Sequence, residues 1–281
     1  MATKSWSARS RWDPRAHFFI TRECVDTRLT GLSERLEILS VVARTSLRTG
    51  FEAHVQRGLL PFIGRLAELQ LLDRVLQEVR GGRPRVVAIS APAGVGKTRL
   101  AEEFLRRAPS SGCSISRGYC ETDLSAEPLQ PFLQMLRSRF QVAPGTMASE
   151  AAEAVESGLA DIDGALLAHR FEVMQALSIP SEVTAPRAGR KYAPEVTIAA
   201  LRDVFAALAR GRPQIVFIDD WQWADDATRQ VVHAIRGLIN LPILLLTATR
   251  PVDVHDVQPD TLAFDVGRQR IGRGGVEPAA P

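Results

Sequence analysis

The chain has 281 residues, with 35 Lys and Arg against 32 Asp and Glu, a net charge of +3 and 45% hydrophobic residues. That balance excludes a disordered polyelectrolyte and fits one or two globular domains. Only Lys4, Lys97 and Lys191 are lysines, so the pI near 9.0 reflects arginine spread along the chain and not a basic stripe; nucleic-acid binding is not supported.

Cys24, Cys113 and Cys120 are odd in number and form no CxxC pair, which argues against a disulfide scaffold or a zinc site and fits a reducing compartment. The apolar stretch at residues 241–246 falls far short of the ~20 residues that span a bilayer. No membrane partner is expected, and the cytoplasm is the expected location.

Residues 1–16 are polar and aperiodic and read as a tail. Residues 17–45 alternate weakly, which predicts two short strands around the Thr30-Gly31 turn. Residues 46–60 read as a linker closed by Pro61. From there helix and strand patterns alternate. Leu66, Leu69, Leu72, Val75 and Val79 recur at helical spacing, and Gly81-Gly82 supplies a stop. Residues 85–90 form an apolar run suited to a strand buried on both faces of a parallel sheet. A glycine-bearing turn and a helix over 98–107 follow, then a strand over 113–119 and a helix over 131–140. Residues 151–177 read as two helices broken near 161–164. Residues 181–191, with Pro186 and Gly189, read as a loop. A helix over 195–210, a strand over 214–218, a helix over 227–239 and a strand over 242–249 complete the pattern. This order predicts a doubly wound α/β sheet with ligands at the carboxyl ends of its strands. Residues 267–281 hold few core formers and read as a second tail.

Ala91-Pro92-Ala93-Gly94-Val95-Gly96-Lys97-Thr98 stands where a strand passes into a helix. It matches the phosphate-loop pattern G-x-x-x-x-G-K-S/T at every diagnostic position but the first, where Ala91 replaces glycine. Gly94 and Gly96 permit backbone conformations that point successive N–H groups at phosphate oxygens, and the following helix adds its positive dipole end. Lys97 is expected to bridge the β- and γ-phosphates of ATP, and the Thr98 hydroxyl to ligate Mg²⁺. Gln214-Ile215-Val216-Phe217-Ile218-Asp219-Asp220 is an apolar strand ending in two acids. By spacing, Asp219 is the Mg²⁺ partner and Asp220 is placed to orient the attacking water. Trp221 and Trp223 read as packing under the loop ahead of base stacking. Asp226 and Thr228 read as caps or first-turn residues of the next helix. Arg250, at the end of the last strand, reads as a γ-phosphate sensor. The five histidines lie scattered without metal spacing.

These residues resemble a known family. Phe62-Ile63-Gly64-Arg65, followed by Glu68-Leu69, is similar to the F-V/I-G-R-x-x-E-L opening of AAA-type, STAND-class regulatory ATPases. Such modules occur in LuxR-type (MalT-like) transcriptional regulators and in bacterial adenylate/guanylate cyclase fusions. Residues 91–100 (APAGVGKTRL) resemble their GEAGIGKSRL, residues 219–225 (DDWQWAD) their D/E-D-L-H-W-A-D, and residues 244–251 (LLLTATRP) their LLLATYRP. The likeness covers residues 61 to about 251. It implies a P-loop NTPase three-layer sandwich of the ASCE/AAA type with a mostly parallel sheet, with Gly64 and Arg65 near the adenine and ribose. It also implies an ATP-driven switch with slow Mg²⁺-dependent hydrolysis, working with a protein partner or by self-association. The family leaves open which acid touches Mg²⁺.

Residues 29–38 are similar to the LKGLSEPVEVYEV end of class III cyclase domains, with Arg35 where that pattern has Pro. The expected plan is therefore a tail at 1–16, a cyclase-like remnant at 17–45, a linker at 46–60, an ATPase core at 61–266 and a tail at 267–281. Neither cyclase activity nor a lid domain is expected. Two other readings stay open: a DNA-associated, origin-binding-like ATPase, and a degenerate fragment that does not hydrolyse ATP.

Overall fold

The computed structural model describes residues 6–8, 19–27, 36–44, 62–121, 127–180, 194–251, 262–265 and 270–273. The chain divides into two compact units, residues 1–63 and 64–281.

In the first unit β1 (Trp6–Ala8), β2 (Phe19–Thr27) and β3 (Leu36–Arg44) form an antiparallel sheet in the order β1-β3-β2. The weak alternation of this region has a physical cause: the β2–β3 register shifts between Ile20 and Thr21 and again between Glu23 and Val25, and each irregularity interrupts the period of two. Strand β1 corrects the expectation that residues 1–16 form only a tail. Its three residues pair with Ile38–Ser40 of β3, so the strand exists because a partner edge accepts it and not because of its own pattern. The expected Thr30-Gly31 turn and the linker at 46–60 lie outside the described residues.

The second unit is built on β4 (Arg85–Ser90), β5 (Ser114–Tyr119), β6 (Gln214–Asp219), β7 (Ile243–Thr249), β8 (Leu262–Asp265) and β9 (Arg270–Arg273), in the order β5-β6-β7-β4-β8-β9. All neighbours are parallel except β8 and β9. Strand β9 corrects the second tail, because the sheet runs past residue 266 to Arg273. Its four residues complete an antiparallel pair with β8; a pairing this short leaves too little periodicity to read.

The helices are α1 (Leu66–Arg80), α2 (Lys97–Arg107), α3 (Gln130–Arg139), α4 (Ala148–Ile162), α5 (Arg170–Ala176), α6 (Pro194–Gly211) and α7 (Asp226–Arg236). Period-two alternation splits the buried strand residues between two faces. Val216, Ile218, Ile243 and Leu245 join one core with residues of α3 to α7. Ile215, Phe217, Leu244 and Leu246 are equally buried but lie outside that cluster, while α1 and α2 pack on β4 and β7. The result is the three-layer α/β sandwich that the sequence predicts. In the larger core Phe132 and Phe205 meet edge to face at 5.6 Å.

Local signals account for the helix ends. Gly81 donates its N–H to the Gln77 carbonyl at the end of α1, and Gly82 takes a positive φ of 85°. The break expected near 161–164 falls at Asp163, an extended residue whose carboxylate accepts from the Ala165 N–H. Helix α7 stops at Arg236, three residues before its expected end, with Gly237 as its C-cap. The expected loop at 181–191 lies outside the described residues. Among the described residues, no helix is long and apolar enough to cross a membrane.

Candidate functional site

The sheet order decides where the chemistry gathers. Strand β7 lies between β4 and β6, with Thr249 opposite Ser90 and Thr247 opposite Ile218. The carboxyl ends of the three strands therefore open side by side. They carry the phosphate loop, the two acids and Arg250.

The loop leaves β4 at Ala91, whose N–H donates to the Thr249 carbonyl at 3.3 Å. Ala91 is fully buried and does not adopt a positive φ, so glycine's freedom is not needed there. It is needed at Gly94 and Gly96, with φ of 80° and 91°. Pro92, Ala93 and Gly94 are exposed, whereas Val95 and Gly96 are half-buried.

Lys97 opens α2 and is 9% exposed. Its ammonium donates to the Ala91 carbonyl at 2.9 Å and the Pro92 carbonyl at 3.2 Å. Burial pulls it below its usual value, opposed by the charges of Asp220 and Asp219, while Arg250 pushes it further down. A buried ammonium held by two neutral carbonyls is poorly compensated. An anion at the loop mouth would complete it, so the residues fit a phosphate.

At the next residue, the Thr98 hydroxyl donates to Asp219 Oδ2 at 2.8 Å. The other oxygen, Oδ1, accepts the N–H of Asp220 at 2.9 Å. Burial, followed by the Asp220 charge, raises the Asp219 carboxyl to about 6; the Thr98 hydrogen bond and Lys97 act in the opposite sense. The pair is made of hard oxygen donors. Mg²⁺ takes one or two protein carboxylates and completes its shell with phosphate and water, so this donor set fits it. Among the described residues, no group of three or more His, Cys, Asp or Glu converges on a metal site.

Asp220 is exposed and left-handed, with φ of 52°. That conformation turns the chain out of the strand and separates the two adjacent acids, one buried and one at the surface. Asp220 Oδ1 accepts from the Gln222 side-chain amide at 2.8 Å, and Gln222 Oε1 accepts the Arg250 N–H at 3.2 Å. Gln222 thus links the second acid to the end of β7. No reading of the sequence singled it out for this role, because the contact depends on the fold bringing residues 28 positions apart together.

The remaining expected residues separate. Trp221 is buried in the core, with the Arg229 guanidinium 5.3 Å from its ring centroid, while Trp223 is 45% exposed. Asp226 and Thr228 are first-turn residues of α7, as one arm of their reading has it, and the cap is Asp225: its carboxylate accepts the Thr228 N–H at 2.9 Å and hydroxyl at 2.6 Å. The same carboxylate accepts the Leu129 N–H at 3.2 Å, tying α3 to α7. Cys120 is a buried thiol pushed up to about 12 by its surroundings, burial foremost, and it packs in the core. Gly64 and Arg65 lie at the start of α1, both with positive φ. The Arg65 guanidinium donates to the Val95 carbonyl at 2.7 Å and stands 3.7 Å from Glu68.

A phosphate loop on one strand, a hydroxyl–carboxylate pair bridging to the next but one, and a parallel sheet of this order define a P-loop ATPase domain. More particularly, residues 61–246 match the model of the AAA ATPase domain family, and the chain belongs to that family. The chain is also similar to the uncharacterized protein R02095 of Rhizobium meliloti (strain 1021), 27% identical over 201 residues. That match covers 68% of this chain and 19% of the relative, so the chain spans about a fifth of the length of the curated relative it matches.

Proposed function

We propose that this chain is a nucleotide-dependent switch that binds Mg-ATP at the β4–α2 loop and hydrolyses it slowly, in bacterial cytoplasmic signalling or transcriptional regulation. The observation that carries the reading is the Thr98–Asp219 hydrogen bond, which sets a hydroxyl and a carboxylate 2.8 Å apart beside the phosphate loop. Lys97 and the loop N–H groups would hold the phosphates. Thr98 and Asp219 would hold Mg²⁺, which supplies charge neutralisation on the phosphoryl oxygens when bound. Asp220 would orient water and Arg250 would sense the γ-phosphate.

The switch reading is supported by how many separate elements meet here. The loop, α2, the end of β6 and the end of β7 all contribute groups, so a γ-phosphate that binds them together biases their relative positions. Slow hydrolysis is supported by Asp220, which is exposed and shares its carboxylate with the Gln222 amide. A wet site weakens the electrostatic stabilisation that phosphoryl transfer needs. The likeness to LuxR-type regulators and cyclase fusions supports a signalling role exercised through a protein partner or self-association.

Single-turnover hydrolysis at saturating Mg-ATP tests this reading. A rate constant far below the ~10 s⁻¹ median of enzymes is expected. A rate near that median contradicts the switch.

A further inference from the structure

We propose that Arg65 is the positioning residue of the phosphate loop, acting through the Val95–Gly96 peptide and not through the base or ribose of the nucleotide. This deepens the nucleotide site proposed above and rests on it. The Arg65 guanidinium donates to the Val95 carbonyl at 2.7 Å across 30 residues of chain. A trans peptide sets its C=O and the following N–H in opposite directions, and among the described residues no peptide bond is cis. Holding the Val95 carbonyl therefore also fixes the Gly96 N–H, turned away from Arg65. The Gly96 N–H is one of the loop N–H groups proposed above to hold the phosphates.

The loop needs such an outside hold. Gly94 and Gly96 flank Val95, and glycine has little preference of its own between positive and negative φ. The plane of the intervening peptide is therefore weakly set by local sterics. A charged donor sets it more firmly than a neutral one.

Arg65 is itself held in place. It takes a left-handed φ of 56°, which non-glycine residues seldom adopt, directly after Gly64 with φ of 78°. Its other terminal nitrogen stands 3.7 Å from Glu68, a residue in the first turn of α1 that is only 6% exposed. A left-handed start to α1 and a buried acid together aim one guanidinium at one carbonyl of the phosphate loop.

A ligand without a base separates positioning from base recognition. Titration calorimetry of the full chain with Mg-ATP and with Mg-tripolyphosphate is compared for wild type, Arg65→Ala and Arg65→Lys, with circular dichroism confirming folding at the titration temperature. Arg65→Ala is expected to weaken both ligands by the same factor, about tenfold. Arg65→Lys, which keeps one charged donor, is expected to lose less, again equally for both ligands. If Arg65→Ala does not fold, the lysine variant carries the comparison alone. Loss of ATP affinity with tripolyphosphate unchanged would overturn the proposal and place Arg65 on the base or ribose. Unchanged affinity for both would also overturn it. A wild-type chain that binds neither ligand would overturn the nucleotide site itself, a separate failure visible before any variant is made.

Discussion

Thr98 and Asp219, 121 residues apart in the chain, share a 2.8 Å hydrogen bond that joins the first turn of α2 to the end of β6. The bond holds two oxygen donors together before any cation arrives. Thr98→Ala removes one donor and one partner of a buried carboxylate. Its expected effect is a loss of about tenfold in the affinity that Mg²⁺ adds to ATP binding, with metal-free ATP binding little changed. Titrations with and without Mg²⁺ check this, and an equal loss in both conditions contradicts the assigned role.

Asp219 and Asp220 are neighbours with opposite surroundings, one 8% exposed and one at the surface in a left-handed turn. Asp219→Asn is expected to weaken Mg²⁺-dependent binding. Asp220→Asn, a substitution the left-handed backbone accommodates, is expected to leave ATP bound while single-turnover hydrolysis falls. Indistinguishable phenotypes contradict the division of labour.

The Asp219 carboxyl lies at about 6, above its ordinary 3.8, chiefly because it is buried. The folded chain therefore holds this proton more tightly than the unfolded chain does. Its contribution to stability is fully present below 3.8 and is lost as pH rises through about 6. Without nucleotide, the melting temperature should fall across that window in wild type and fall less in Asp219→Asn. At pH 7.5 the variant should be the more stable by roughly 1–3 kcal/mol, although it binds Mg-ATP less well. Parallel pH profiles for the two proteins contradict this account.

Gly118 of β5 faces the start of α3 so closely that a Cβ there would lie 2.5 Å from the Pro131 carbonyl oxygen and 2.7 Å from its Cα. The obstacle is backbone, which cannot rotate aside. Gly118→Ala is expected to destabilise the domain by roughly 1–3 kcal/mol, read as a lower denaturant midpoint. An unchanged midpoint would show that α3 yields without cost.

Much of this was legible because burial on both faces leaves an uninterrupted apolar run. The run at 85–90 coincides with β4, and the runs at 214–218 and 242–249 differ from β6 and β7 by a single end residue. The phosphate loop declared itself by Gly-Lys-Thr after such a strand. The missed features depend on partners and not on pattern. Strands β1 and β9 have three and four residues and form by adding to another strand. That Asp225 caps α7, with Asp226 and Thr228 in its first turn, follows from the extended backbone at Asp225, φ −74° and ψ 165°, which residue types alone do not reveal. The Arg65–Val95 bond requires a left-handed arginine that the motif at 62–69 does not advertise.

The central claim is that the β4–α2 loop is a phosphate site, and Lys97 tests it most directly. Its ammonium is buried and donates only to the Ala91 and Pro92 carbonyls among the hydrogen bonds of the described residues, leaving a charge for phosphate to complete. Titration calorimetry with Mg-ATP on wild type and Lys97→Ala compares the chain with and without that charge. One saturable site per wild-type chain is expected, with affinity about 10–100-fold weaker in the variant while its far-ultraviolet spectrum stays unchanged. Equal affinity in the two proteins would contradict the assignment of this loop as the phosphate site.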